Sequence, residues 1–186
     1  MSEVWMDERE TRAWVAFQRM RIEVNEVLAR TLVRDFGLTE ADFVILLRLF
    51  NIPGRRFRAR DLAAALNWER SRLSRQISRM QARGTVTRAP SEGDARGYDV
   101  VLTDAGRAAF EAAWPTYVQG IRHCFTDVLS PTQLDSLTDI AETIDAHFTA
   151  RHCPGGLADT AAGGGVHTTS AGIEPCGTTD SLESAS

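Results

Sequence analysis

The feature that most constrains this chain is a change of hydrophobic period at Gly84. Before it, Leu73, Ile77 and Met80 recur at spacings of three and four in a segment spanning about 69–83. A shorter helical pattern, about 59–66, precedes that segment across the Asn67-Trp68 pair. After Gly84 the period falls to two: Val86 alternates with polar neighbours, and Tyr98, Val100 and Leu102 alternate with Asp99, Val101 and Thr103. The octapeptide Pro90-Ser91-Glu92-Gly93-Asp94-Ala95-Arg96-Gly97 between the two strand patterns has the composition of a hairpin tip. Helix, tight turn, helix and two-stranded ribbon in that order predict a mainly α (α+β) winged helix, with a winged helix-turn-helix lobe at about 53–107.

The flanks read as helices. Residues 7–35 place Trp14, Phe17, Met20, Val24, Val27, Leu28, Thr31 and Leu32 on one face, and Gly37 ends the run. Thr39-Glu40-Ala41-Asp42 resembles a capping box and opens a second helix to about Asn51, rich in buried-type residues from Phe43 to Phe50. Pro53-Gly54 breaks it, leaving Arg55, Arg56 and Arg58 in an irregular connection. Thr103 caps a further long helix, which Pro115 is expected to bend. Ser130-Pro131 starts a last helix, expected to end near Ala150. The ordered domain is thus expected at 1–150, with candidate dimerisation helices at about 7–35 and 104–150. Residues 151–186, poor in large apolar side chains, are expected to form a disordered tail.

Several functional classes lose support. No apolar run reaches the ~18 residues of a membrane span, and the acidic start of the chain (Glu3, Asp7, Glu8) lacks the basic region of a secretory signal, so a cytoplasmic protein is expected. Cys124, Cys153 and Cys176 show no CxxC spacing, and the histidines at 123, 147, 152 and 167 form no recognisable ligand pair, so neither metal nor other cofactor is expected. The Gly163-Gly164-Gly165 run follows no strand and has no neighbouring lysine, which makes it a linker rather than a phosphate loop. No nucleophile, base and orienter stand in recognisable spacing, and an enzyme is not expected.

The net charge of −4 conceals a segregation. Residues 55–107 hold twelve arginines against six acids, a local charge of +6, which leaves −10 on the rest. A cationic face on an otherwise anionic body favours one orientation on DNA and repels the others. Because the chain has no lysine at all, arginine abundance says little; placement says more. On the helix 69–83, a turn of 100° per residue sends Ser71, Arg75, Ser78 and Arg79 opposite the apolar stripe, with Arg72 and Ser74 at the margins. A helix of this size fits the major groove, where arginine reaches guanine O6 and N7. Arg96, on the hairpin tip, has the reach to enter a minor groove. Asp94 either orients Arg96 or Arg88, or simply forms the turn. The candidate DNA contacts are therefore Ser71, Arg72, Ser74, Arg75, Ser78, Arg79, Arg88, Asp94 and Arg96.

From about Trp14 to Ala150 these pieces resemble the multiple-antibiotic-resistance regulator (MarR-like) family. The resemblance is carried by Leu62-Ala63, by the run from Arg70 to Met80, by Arg83-Gly84, by Asp94-Ala95-Arg96-Gly97 and by the run from Leu102 to Arg107, in that order and spacing. It implies a sequence-specific, ligand-responsive repressor bound as a homodimer to a pseudo-palindromic double-stranded DNA operator. In that reading Ser71 to Arg79 supply recognition-helix contacts, Arg96 enters the minor groove and the terminal helices form the dimer interface. The same apolar residues also fit the core of a single copy. The resemblance further implies a small aromatic or anionic effector, with Trp14, Phe17, Arg21 and Arg48 as candidates. Cys124 is expected to be a packing residue. The competing reading is a winged-helix protein-interaction adaptor without specific DNA binding.

Overall fold

The computed structural model describes residues 5–91 and 94–151. The first helix, α1 (Glu8–Phe36), begins with a reciprocal capping box between Asp7 and Glu10 and ends where Gly37 takes φ 64°, donating its N–H to the Leu32 and Val33 carbonyls. A left-handed cap of this kind suits glycine because it has no Cβ to clash. Thr39 and Asp42 form the second box, which opens α2 (Glu40–Phe50). A single 3-10 turn (Pro53–Arg55) then leads into β1 (Arg56–Arg58), α3 (Ala59–Ala65) and α4 (Arg70–Ala82). Next come β2 (Val86–Ser91), β3 (Asp94–Leu102), α5 (Asp104–Cys124) and, after a 3-10 turn, α6 (Pro131–Arg151). Among the described residues no helix is long and apolar enough to cross a membrane.

The sheet is antiparallel in the order β1-β3-β2, with Phe57 opposite Val100 and Val86 opposite Leu102. Its third strand corrects the expectation of an irregular link at Arg55, Arg56 and Arg58. Three residues with one apolar side chain, Phe57, give no measurable alternation. What makes them a strand is the open edge of β3, whose backbone groups they pair. Both candidate ribbon strands are present, and the register slips at Pro90/Ser91, where the ribbon leaves the body.

The core lies where α2, α3, α4 and the sheet meet. Ile45, Leu46, Leu49, Leu62, Leu73, Ile77, Met80, Val86 and Val100 are all fully or almost fully buried. Phe43, Phe50, Phe110, Trp114 and Tyr117 continue it as an aromatic cluster between α2 and α5, with Phe43 and Tyr117 centroids 4.3 Å apart. Burial of each large apolar side chain contributes about 1.5–3 kcal/mol, so this centre fixes the lobe. The terminal helices are different. Only Leu28 and Leu32 of α1 are buried, Trp14, Val15, Phe17 and Ile22 stay exposed, and none of the described residues of α6 is buried.

The chain is closely packed at the junction between α4 and α5. Thr103 caps α5 by accepting from the Gly106 N–H, and its own hydroxyl donates to the Gly84 carbonyl at 2.6 Å. Gly84, at φ 73°, turns the chain out of α4. Gly106 lies so close beneath Thr85 that a Cβ there would stand 2.0 Å from the Thr85 carbonyl oxygen. Pro115 does not interrupt α5, which runs through it as a single helix.

Candidate nucleic-acid interface

The site is built on α4. Leu73, Ile77 and Met80 anchor its inner face, while Ser71, Arg72, Arg75, Ser78 and Arg79 are exposed and Ser74 is half-buried at the margin. The helical period thus separates packing from display, as its spacing dictates. At the N-terminal end the Arg72 guanidinium lies 4.3 Å from the centroid of Trp68, the aromatic residue in the tight turn. That stacking holds one cation near the start of the helix.

Three of the sequence-selected residues are brought together in one cluster. Arg88, on β2, donates through Nη2 to the Ser74 carbonyl at 3.2 Å and to Ser78 Oγ at 2.8 Å, and its guanidinium sits 4.7 Å from the Tyr98 centroid. Ser78 Oγ also donates to the Ser74 carbonyl. Arg88 therefore braces the ribbon against α4. Arg79 Nη2 donates to Gln76 Oε1, a buried partner on the same helix. Asp94 and Arg96 fall on β3 beside the tip, and their side chains lie outside the described residues.

Beside α4 runs a concave groove of about 380 Å³, lined by Arg58, Arg60, Arg70, Ser74 and Tyr98 among others. Arg58, Arg60 and Arg70 are not among the residues selected from the sequence, since none lies on the outward stripe of α4. The folded chain makes them neighbours by bringing the end of β1, the start of α3 and the start of α4 around one hollow. Three arginines line this concavity, Arg60 of them paired with Asp61, and their positive charge suits an anion such as a DNA phosphate.

The base of the ribbon carries its own clamp. Arg56 donates through Nε to Asp99 Oδ2 and through Nη2 to the Pro90 carbonyl, each at 2.5 Å, joining all three strands. The bonded Arg56 guanidinium, helped by Ser91, holds the Asp99 carboxyl below its ordinary value of 3.8. A depressed carboxyl supports the fold above the ordinary carboxylate range and loses that support as pH falls through its lowered value. Hydrogen-exchange protection of the β1 amides, corrected for intrinsic rate, should be full at about pH 6 and fall as the pH drops through the ordinary carboxylate range and below it. Asp99→Asn should abolish this pH dependence; an unchanged profile would show that the clamp does not hold the strand.

The effector candidates occupy the other lobe. Trp14 and Phe17 pair on α1 with centroids 5.9 Å apart, 52% and 46% exposed, Arg21 follows half-buried on the same helix, and Arg48 is half-buried on α2. Cys124 is a half-buried free thiol at the end of α5. Among the described residues no three His, Cys, Asp or Glu side chains gather to hold a metal ion.

Comparison with known proteins agrees with this geometry. Residues 36–97 match the model of the MarR family. An HTH-type transcriptional regulator from Bacillus cereus is 24% identical over 141 residues, covering 76% of this chain and 92% of the relative. The structure of AbsC, a MarR family transcriptional regulator from Streptomyces coelicolor, superposes with a TM-score of 0.74 at 34% identity, covering 79% of this chain and 99% of that one. A second MarR family regulator from the same organism, solved in complex with DNA, gives a TM-score of 0.74 at 30% identity over 77% of this chain and 94% of its own. The match to AbsC at 34% identity over 79% of this chain, with the family model matching residues 36–97, places the chain in the MarR family of transcriptional regulators.

Proposed function

We propose that this chain binds a pseudo-palindromic operator in double-stranded DNA as a homodimer and acts as a ligand-responsive repressor. The observation that carries the reading is the exposed face of α4, where Ser71, Arg72, Arg75, Ser78 and Arg79 stand opposite a fully packed stripe. Arg75 and Arg79 reach guanine edges in the major groove, Arg96 enters the adjacent minor groove, and Arg58, Arg60 and Arg70 take backbone phosphates. The DNA complex of a relative 30% identical supports the same use of the fold. The exposed apolar residues of α1 and α6 support dimerisation, since patches of that kind mark association surfaces. Two copies related by a two-fold axis present their recognition helices about 34 Å apart, to successive major grooves. A protein-interaction adaptor has no need of guanidinium groups on both helix and wing.

Arg75→Ala tests the base contact. It should relax preference at one position of each half-site, costing about 1–3 kcal/mol there and little elsewhere. A uniform loss over all sequences would make Arg75 a phosphate contact instead. The effector reading uses the exposed Trp14 and Phe17 pair as an apolar platform, with Arg21 and Arg48 supplying positive charge for a small aromatic anion. Phenolic acids should then lower operator affinity; indifference to them, together with loss of binding on peroxide treatment, would favour thiol sensing at Cys124 instead.

A further inference from the structure

Beneath α4 lies a buried carboxylate that takes no part in the interface described so far. Asp42, on α2, has no exposed surface. Its Oδ2 accepts from the Thr39 N–H at 2.9 Å and from Thr39 Oγ1 at 2.7 Å, which completes the cap of α2. Its Oδ1 accepts from Gln76 Nε2 at 2.6 Å and from the Arg83 guanidinium, both belonging to the α4 segment. Gln76, itself buried, accepts in turn from Arg79 through Oε1. A continuous chain of hydrogen bonds thus runs from the start of α2 to the exposed face of α4.

The chemistry gives this chain one direction. A carboxylate paired with a guanidinium only accepts, so Gln76 must turn its amide NH₂ towards Asp42. Its carbonyl is then left facing Arg79, whose guanidinium only donates. An asparagine at position 42 must turn its amide NH₂ either to the Thr39 backbone N–H or to Gln76 and Arg83; in the second arrangement, which keeps the cap of α2 but takes the acceptor from Arg83, Gln76 turns its carbonyl to position 42 to keep its bond there. The amide NH₂ would then face Arg79, and two donors make no bond. The carboxylate of Asp42, which only accepts, therefore keeps Gln76 turned so that its carbonyl serves Arg79.

We propose that Asp42 is a positioning residue for DNA recognition: acting through Gln76, it fixes the Arg79 guanidinium on the reading face of α4, and through Arg83 it fixes the C-terminal turn of that helix. The proposal rests on the reading of Arg79 as a DNA contact. A purely structural brace would look the same in the folded chain, but it would weaken stability without being coupled to Arg79.

A double-mutant cycle separates the two. Asp42→Asn, Arg79→Ala and the double variant are measured on a duplex selected from a random-sequence pool by the unmodified protein, and on a shuffled duplex of equal length. Arg79→Ala should lower affinity for the selected duplex about tenfold. Asp42→Asn should lower it about fivefold, with little change on the shuffled duplex, and the double variant should bind no worse than Arg79→Ala alone. Losses that multiply in the double variant, or an equal loss on both duplexes with Asp42→Asn, would overturn the proposal. If Arg79→Ala leaves the selected duplex bound as before, it is the contact reading that fails, and the positioning role goes with it. Should Asp42→Asn lose its far-UV circular dichroism, Gln76→Met replaces it in the cycle: it breaks the relay while leaving Asp42 bonded to Thr39 and Arg83, and the same coupling to Arg79 is required.

Discussion

Gly106→Ala is expected to cost about 3 kcal/mol of stability or more, although the same change in an ordinary helix gains about 1 kcal/mol. The added methyl would stand 2.0 Å from the Thr85 carbonyl oxygen and 2.9 Å from Leu102 Cδ1. A backbone carbonyl cannot rotate away as a side chain can, so α5 must lift from the turn that follows α4. That movement would break the Thr103 hydroxyl bond to the Gly84 carbonyl. For a domain of about 150 residues the loss corresponds to a fall in Tm of about 6–12 °C. Gly120→Ala is the control: its methyl would meet only Leu28 Cδ2, the end of a flexible side chain, at 2.8 Å, and should change stability by less than about 1 kcal/mol. Equal melting of the two variants would show that the junction is looser than its geometry.

A charge in the apolar stripe of α6 should have the second large effect. Ile140, Ile144 and Phe148 follow one another at intervals of four and are 57%, 50% and 54% exposed in the single chain. Ile144→Glu should leave the fold of each copy intact, because this side chain contributes little to its core. In the proposed dimer it would bury an unpaired carboxylate, weakening association at least about a hundredfold. Light scattering should report a monomer at concentrations where the unmodified chain is a dimer. Operator affinity should fall with it, since a monomer reaches one half-site only. A dimer of unchanged mass would remove α6 from the interface.

Much of the fold was legible in the sequence because its signals are local. The capping box at Thr39, the stop at Gly37 and the change of period at Gly84 each act within a few residues of where they are read. The inner stripe of α4 followed from spacing alone, and Leu73, Ile77 and Met80 are buried as that spacing requires. β1 escaped because three residues cannot establish a period, and its strand identity comes from β3, 43 residues away at Arg56 and Asp99. Asp42 was readable as a cap and no further. Its bond to Gln76 spans 34 residues, and nothing in the alternation of α4 marks a glutamine on the inner face as one end of a relay. Arg88 was selected as a DNA contact from its place in the ribbon, whereas its bonds to Ser74 and Ser78 depend on how the ribbon folds back over the helix.

The Thr103–Gly84 contact makes α5 a lever. Its 21 residues span about 32 Å. A tilt of about 6° about the far end carries the Gly84 turn sideways by about 3 Å, close to one base step of B-DNA. Because Arg88 ties the ribbon to α4, helix and ribbon would travel together rather than shear. In the proposed DNA complex, an event at the far end of α5 that tilts the helix by this much would carry α4 out of phase with its groove.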